Sequence, residues 1–124
     1  MIAPTLKGTR ILIVEDNFVV ADALRFMLTG YDGIVTAIVP NRERALAALA
    51  AHPVDVAILD INLNGTSVVP LAEELRTHAV PFVFLTGYGD EEVLPEHLRT
   101  HPRFDKPVEP GRLVDCLLEL THRP

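Results

Sequence analysis

Tryptophan is absent from this sequence, cysteine occurs once, and lysine occurs only at positions 7 and 106, against nine arginines. Aromatic residues make up 6% of the chain, yet the hydrophobic fraction is 48%. A core must therefore be built from Ala, Leu, Val and Ile, which suits an α/β protein better than an aromatic-rich sandwich. The single Cys116 excludes an internal disulfide and fits a reducing compartment. It stands in LVDCLLEL on the helical face of Leu113, Leu117 and Leu120, and reads as a small core residue rather than a nucleophile. No apolar run approaches the roughly 20 residues of a membrane span. MIAPTLKGTR lacks the apolar core of a signal peptide, so a cytoplasmic protein is expected. A net charge of −6 argues against a nucleic-acid footprint.

What is present alternates. RILIV reads as strand one, and NFVVADALRFMLTG places Val20, Ala23, Leu24, Met27 and Leu28 at helical spacing, with Gly30 as a stop. GIVTAIV is strand two. NRERALAALAAH is a helix with Asn41 as N-cap and Pro53 beyond its end. VDVAILD is strand three, TSVVPLAEELRTH a helix, VPFVFLT strand four and RFDK strand five. EPGRLVDCLLELTH is the last helix, with Pro110 suited to its first turn. Between strands four and five, GYGDEEVLPEHLRTHP carries two glycines, an acidic run and Pro95, and is expected to form a short or frayed fourth helix.

This is a (βα)5 pattern. It implies a doubly wound parallel five-stranded sheet, flavodoxin-like, in the order 2-1-3-4-5, with the nearly all-apolar strands one, three and four at its centre. The length of 124 residues fits one domain, placed at 8–122. With the sequence stopping just after the last helix, no output domain is expected.

Strand one runs directly into Glu15 and Asp16. Two like charges about 4 Å apart cost roughly 4 kcal/mol at an effective dielectric near 20, so a buried strand ending in two acids needs a reason. In a parallel sheet all carboxyl ends share one edge. Strand three ends in Asp60, strand four in Thr86 and strand five in Lys106, so three carboxylates, a hydroxyl and an ammonium converge there. A divalent cation between the acids would make them compatible. The ligands are all oxygens, which points to Mg²⁺ or Mn²⁺. Asp60 is the best nucleophile toward a phosphoryl group, ending a central strand and facing both Lys106 and Thr86. Singly, each has an ordinary reading: Asp60 as a cap in the turn-like DINLNG, Thr86 as a β-branched strand residue, Lys106 as a surface residue, Glu15 and Asp16 as acids at a helix start. Their joint placement carries the functional reading.

At these residues the sequence resembles the receiver domain of two-component response regulators, CheY-like in fold. The pieces are ILIVEDN, VAILDINLNG, FLTGYGD and DKP, and they span nearly the whole chain. The resemblance implies that Asp60 accepts a phosphoryl group from a histidine kinase or a histidine phosphotransfer protein. It implies that Asp16, Asp60 and the backbone carbonyl of Asn62 hold Mg²⁺ directly, and that Glu15 acts through a water. It makes Thr86 the switch hydroxyl, Lys106 the phosphate-binding lysine and Lys106–Pro107 a cis peptide. PFVFLTGYGD further resembles a Phe-x-x-Thr-Gly-Tyr subgroup of α-proteobacterial receivers, often stand-alone. One position departs from the pattern. Three residues before the lysine, where many receivers carry an aromatic partner for the switch hydroxyl, stands Arg103, and alternation puts Phe104 on the opposite face. Tyr88, beside the fourth-helix segment, could then carry the signal or shield the phosphorylated Asp60.

The expectation is a phosphorylation-dependent switch, not an enzyme acting on a separate substrate. Its contact face is 87–107 with the last helix, its output is a downstream protein, and its state is a monomer or weak homodimer. Other readings share the residue types or the fold. A Mg²⁺-dependent aspartyl-phosphate phosphatase would want a second acid two residues beyond the nucleophile, where Asn62 stands. A phosphate sink would only pass on or drain the phosphoryl group, and a pseudo-receiver would bind partners without phosphorylation; the presence of all five key residues argues against the latter. A nucleotide-binding module would want a glycine-rich turn after strand one, and EDNF has none. His52, His78, His101 and His122 read as solvated residues.

Overall fold

Alternate residues of the first strand point to opposite faces of the sheet, and both faces are covered. In the computed structural model, which describes residues 4–63, 65–87 and 94–121, β1 is Arg10–Val14. Leu12 and Val14 enter one core and Ile11 and Ile13 the other, which is why RILIV is apolar throughout. β3 (Val56–Asp60) and β6 (Phe82–Thr86) repeat this division, with Ala57, Leu59, Phe82 and Phe84 on the first side and Ile58, Val83 and Leu85 on the second. β2 (Ile34–Val39) and the short β7 (Arg103–Asp105) are the edges. The strands are parallel in the order β2-β1-β3-β6-β7, which is the expected 2-1-3-4-5 order with strands four and five as β6 and β7.

Helices α1 (Phe18–Gly30) and α4 (Pro110–Thr121) close one face through Leu24, Leu28, Leu113 and Leu117. α2 (Arg42–Ala51) and α3 (Val69–Thr77) close the other through Ala45, Ala48, Leu71 and Leu75. Asn41 caps α2 by accepting from Arg44 N at 2.9 Å. Asn17 caps α1 by accepting from Val19 N and Val20 N at 2.9 and 3.1 Å. The buried stripe of α1 is Ala21, Leu24 and Leu28, with Val20 and Met27 packed against the same core as expected; of the expected face only Ala23 is exposed, and Ala21 takes its place. Cys116 is half-buried against the α1–α4 core, and burial raises its thiol pKa.

Two segments differ from the sequence reading. The helix expected from Thr66 begins at Val69, because Thr66–Ser67 (β5) pairs antiparallel with Asn62–Leu63 (β4) in a small hairpin. Ser67 Oγ then accepts from Val69 N at 3.1 Å, and Pro70 sits in the first turn of α3, where a missing N–H costs nothing. Of the segment expected as a fourth helix, residues 88–93, with Tyr88, lie outside the described residues. The remainder holds one turn of 3₁₀ helix, Glu96–Leu98, entered from an extended Pro95, and its buried Leu94 and Leu98 fill the α3-side core.

The α1–β2 turn is tight. A Cβ on Gly33 would lie 3.0 Å from the Leu28 carbonyl oxygen and 3.1 Å from Ile11 Cδ1. Overpacking of this kind typically costs about 1–3 kcal/mol. Gly33→Ala should therefore lower the urea midpoint without changing the slope of the transition; an unchanged midpoint would mean that the turn relaxes freely.

Candidate functional site

The carboxyl ends of β1, β3, β6 and β7 bring their terminal residues to one edge. Glu15 stays in register with the sheet, donating its N–H to Val39 O at 3.0 Å, and its side chain is buried at 3% exposure. Glu15 Oε1 accepts from Asn17 N at 3.0 Å. Asp16, the next residue, is exposed. Asp60 closes β3 at 2% exposure, and its Oδ1 accepts from Asn62 N at 3.3 Å. Thr86 closes β6 and is buried, and Lys106 N donates to Thr86 O at 2.9 Å, so the two strand ends are tied together. The Lys106–Pro107 peptide is cis.

Lys106 Nζ lies 3.1 Å from Asp60 Oδ1 and 3.1 Å from Glu15 Oε2. The approach to Glu15 Oε2 is close enough for an ion pair but off the hydrogen-bonding directions, so this buried oxygen has no hydrogen-bond partner. One ammonium thus serves two buried carboxylates. Burial pushes the Glu15 carboxyl up to about 7, with the charge of Asp60 adding to it and the Asn17 N–H and Lys106 opposing it. Burial pulls the Lys106 ammonium down, but its contacts with Glu15 and Asp60 outweigh this and leave it above its ordinary value.

Carboxylate oxygens of Glu15, Asp16 and Asp60 all lie within 4.8 Å of one another. They line a polar cleft of about 340 Å³ with Asn17, Asn62, Gly65 and Lys106. An all-oxygen donor set, an excess of negative charge and an unpartnered buried carboxylate oxygen fit a hard divalent cation such as Mg²⁺ or Mn²⁺. The Asn62 side chain is engaged elsewhere: its Oδ1 accepts from Gly65 N at 3.1 Å and holds the β4–β5 hairpin. A larger cleft of about 550 Å³ at the opposite edge, beside Lys7, Asp55 and Thr121, assembles no comparable group of side chains among the described residues.

Asp60 meets Lys106 as the strand order implied, but the Thr86 hydroxyl is turned elsewhere. Thr86 Oγ1 donates to Asp105 Oδ1 at 2.8 Å. Asp105 had no role in the sequence reading. The signal lay in the register: Thr86 and Asp105 are cross-strand partners, so their side chains share a face. Arg103, two residues earlier, is exposed on that face, while Phe104 turns the other way and packs against the α1–α4 core. Beside the cleft, the start of α1 exposes Phe18 (81%) and Val19 (75%). An apolar groove of about 370 Å³ runs from Val19, Ala23 and Met27 to Lys106 and Pro107.

A family model described as response regulator receiver domain matches residues 11–117. The transcriptional regulatory protein AruR of Pseudomonas aeruginosa is 33% identical over 122 residues, covering 92% of this chain and 50% of AruR, so the chain spans about half the length of that relative. An uncharacterized 14.6 kDa protein of Leptolyngbya boryana is 32% identical over 116 residues, covering 89% of this chain and 88% of the relative. Among solved structures, SdrG from Sphingomonas melonis Fr1 superposes with a TM-score of 0.80 at 33% identity, covering 96% of this chain and 98% of that one. The BeF3-activated conformation of SdrG superposes with a TM-score of 0.78 at 32% identity, covering 97% and 100% of the two chains.

Proposed function

Because the chain belongs to the response regulator receiver domain family, we propose that it is a phosphorylation switch whose acceptor is Asp60. The observation that carries this is the buried Asp60 carboxylate, held by Lys106 at 3.1 Å beside two further acids at the carboxyl edge of the sheet. Glu15, Asp16, Asp60 and the backbone carbonyl of Asn62 would hold Mg²⁺, or Mn²⁺. The bound cation would neutralise the acids and the charge of an incoming phosphoryl group.

A carboxylate oxygen of Asp60 attacks phosphorus in the phosphohistidine of a kinase or phosphotransfer protein. The new O–P bond gives an acyl phosphate as the N–P bond breaks and the imidazole leaves. Lys106 already carries its charge at the position where negative charge gathers, so it does not reorganise during transfer. Water later cleaves the acyl phosphate and returns the Asp60 carboxylate. The protein thus acts on itself and not on a separate substrate. The exposed Phe18 and Val19, with the adjoining apolar groove, suit contact with the phosphodonor protein. The contact face for output is assigned to 87–107 and α4, with a downstream protein as its target. A cytoplasmic location agrees with the absence, among the described residues, of any helix long and apolar enough to cross a membrane.

Incubation with acetyl phosphate and Mg²⁺ should add one phosphoryl group to the intact protein, and chelation with EDTA should prevent it. A protein whose mass does not change, and whose amide NMR spectrum does not respond to beryllofluoride, is not a phosphorylated receiver.

A further inference from the structure

Thr86 is the hydroxyl nearest to the proposed chemistry in the strand order, yet its proton is already committed. Oγ1 donates to Asp105 Oδ1 at 2.8 Å, an ordinary length for a hydroxyl bonded to a carboxylate. A hydroxyl has one hydrogen, so it cannot donate to Asp105 and to a phosphoryl oxygen at once. Each added phosphoryl group must therefore compete with Asp105 for that proton.

We propose that Asp105 is a latch on the switch: it holds the Thr86 hydroxyl while Asp60 is unmodified and releases it when Asp60 is phosphorylated. The inference rests on the phosphorylation reading of Asp60 and identifies a positioning residue for that chemistry. Three features make a latch that can open. Thr86 is buried at 1% exposure, so its hydroxyl depends on a protein partner. Asp105 is exposed, so its carboxylate regains water as soon as the hydroxyl leaves. The partners are held in register by the β6–β7 ladder, and Lys106, the residue after Asp105, is bonded through its N–H to Thr86 O. The hydroxyl's acceptor and the site's ammonium therefore sit on consecutive residues at one strand end, and a change at either is felt by the other.

The test is beryllofluoride binding with Mg²⁺, followed by amide NMR, on wild type, Asp105→Ala, Asp105→Asn, Thr86→Val and the Asp105→Ala/Thr86→Val double variant. Asp105→Ala frees the hydroxyl and should tighten binding by roughly three- to tenfold, the range of an ordinary net hydrogen bond, because the exposed Asp105 carboxylate is itself well hydrated once released. Asp105→Asn keeps an oxygen acceptor without its charge and should give a smaller gain; it also preserves the measurement should the alanine variant fold poorly. In the Thr86→Val background the Asp105→Ala change should have no effect, because no hydroxyl remains to be released. An equal gain in that background would reduce Asp105 to a general charge effect and overturn the latch, as would wild-type affinity in both Asp105 single variants. Wild-type protein that takes up no beryllofluoride would overturn the phosphorylation reading itself, and the latch with it.

Discussion

An Asp60→Asn variant should accept no phosphoryl group from acetyl phosphate and should, with divalent cations chelated, melt at a higher temperature than the wild type. The first part follows from chemistry: an amide oxygen lacks the charge and basicity to attack phosphorus. The second follows from the charge count around Lys106. Asp60 and Glu15 are 2% and 3% exposed and share one ammonium, with Asp16 beside them. Asparagine has nearly the same volume, so packing is kept. Its carbonyl oxygen can still accept from Lys106, and its amide can donate to Glu15 Oε2, which lacks a hydrogen-bond partner. Removing one of two like charges at a buried site should stabilise by about 1 kcal/mol, or about 3–6 °C for a chain of this size. Intact mass and thermal unfolding in EDTA read the two parts separately. A phosphoryl adduct on the variant would move the acceptor elsewhere. A lower melting temperature would mean that the Asp60–Lys106 attraction outweighs the repulsion among the acids.

The fold was legible because its signals are periodic. Four strands announce themselves as apolar runs, and the interrupting helices carry start signals, a cap at Asn41 and a first-turn proline at Pro110. Strand order followed from which runs are apolar on both faces. The β4–β5 hairpin was not legible, because two-residue strands have no period to detect. On α1 only Ala23 was misplaced, because Ala21 and Ala23 are the same residue type and packing alone decides which one is buried. His101, read as solvated, stacks on Phe82 with ring centroids 4.4 Å apart, a contact made across 19 residues of chain. The gathering of Glu15, Asp16, Asp60 and Lys106 was legible because each ends or follows a strand and the parallel sheet brings those ends together; Thr86 ends its strand at the same edge, but the direction of its hydroxyl was not legible. Asp105 was missed for a related reason. Its role depends on the residue opposite it across the β6–β7 ladder, and a single strand read alone does not name its cross-strand partner.

Raising the pH from 5 to 8 should destabilise the chelated protein, and Mg²⁺ should offset most of the loss. Burial first, then Asp60, lifts the Glu15 carboxyl to about 7 in the folded chain, whereas the unfolded chain holds it at the ordinary value for a glutamate. Between those values the folded state binds more protons than the unfolded one, so stability is full at the acid end and is lost as pH rises through about 7. The loss should be roughly 2–3 kcal/mol. His101 acts with the opposite sign. Burial, then the nearby charges of Arg76 and His97, lowers its pKa, so its contribution is lost as pH falls below the ordinary histidine range. Lys106 is held above its ordinary value and Asp55 below its own, the latter chiefly by its hydrogen bond from Arg10, so neither titrates in this window. Comparing urea unfolding at pH 5 and pH 8 for wild type and Glu15→Gln isolates the Glu15 share: the wild-type fall should shrink by about that amount in the variant. With Mg²⁺ present the charged carboxylates become an asset. A cation at a hundred times its dissociation constant adds about 2.7 kcal/mol, more at pH 8 than at pH 5, because protons compete with it at acid pH. An unchanged pH slope in Glu15→Gln would place the buried proton on another group. A Mg²⁺ effect equal at both pH values would mean that the cation binds without displacing a proton from Glu15.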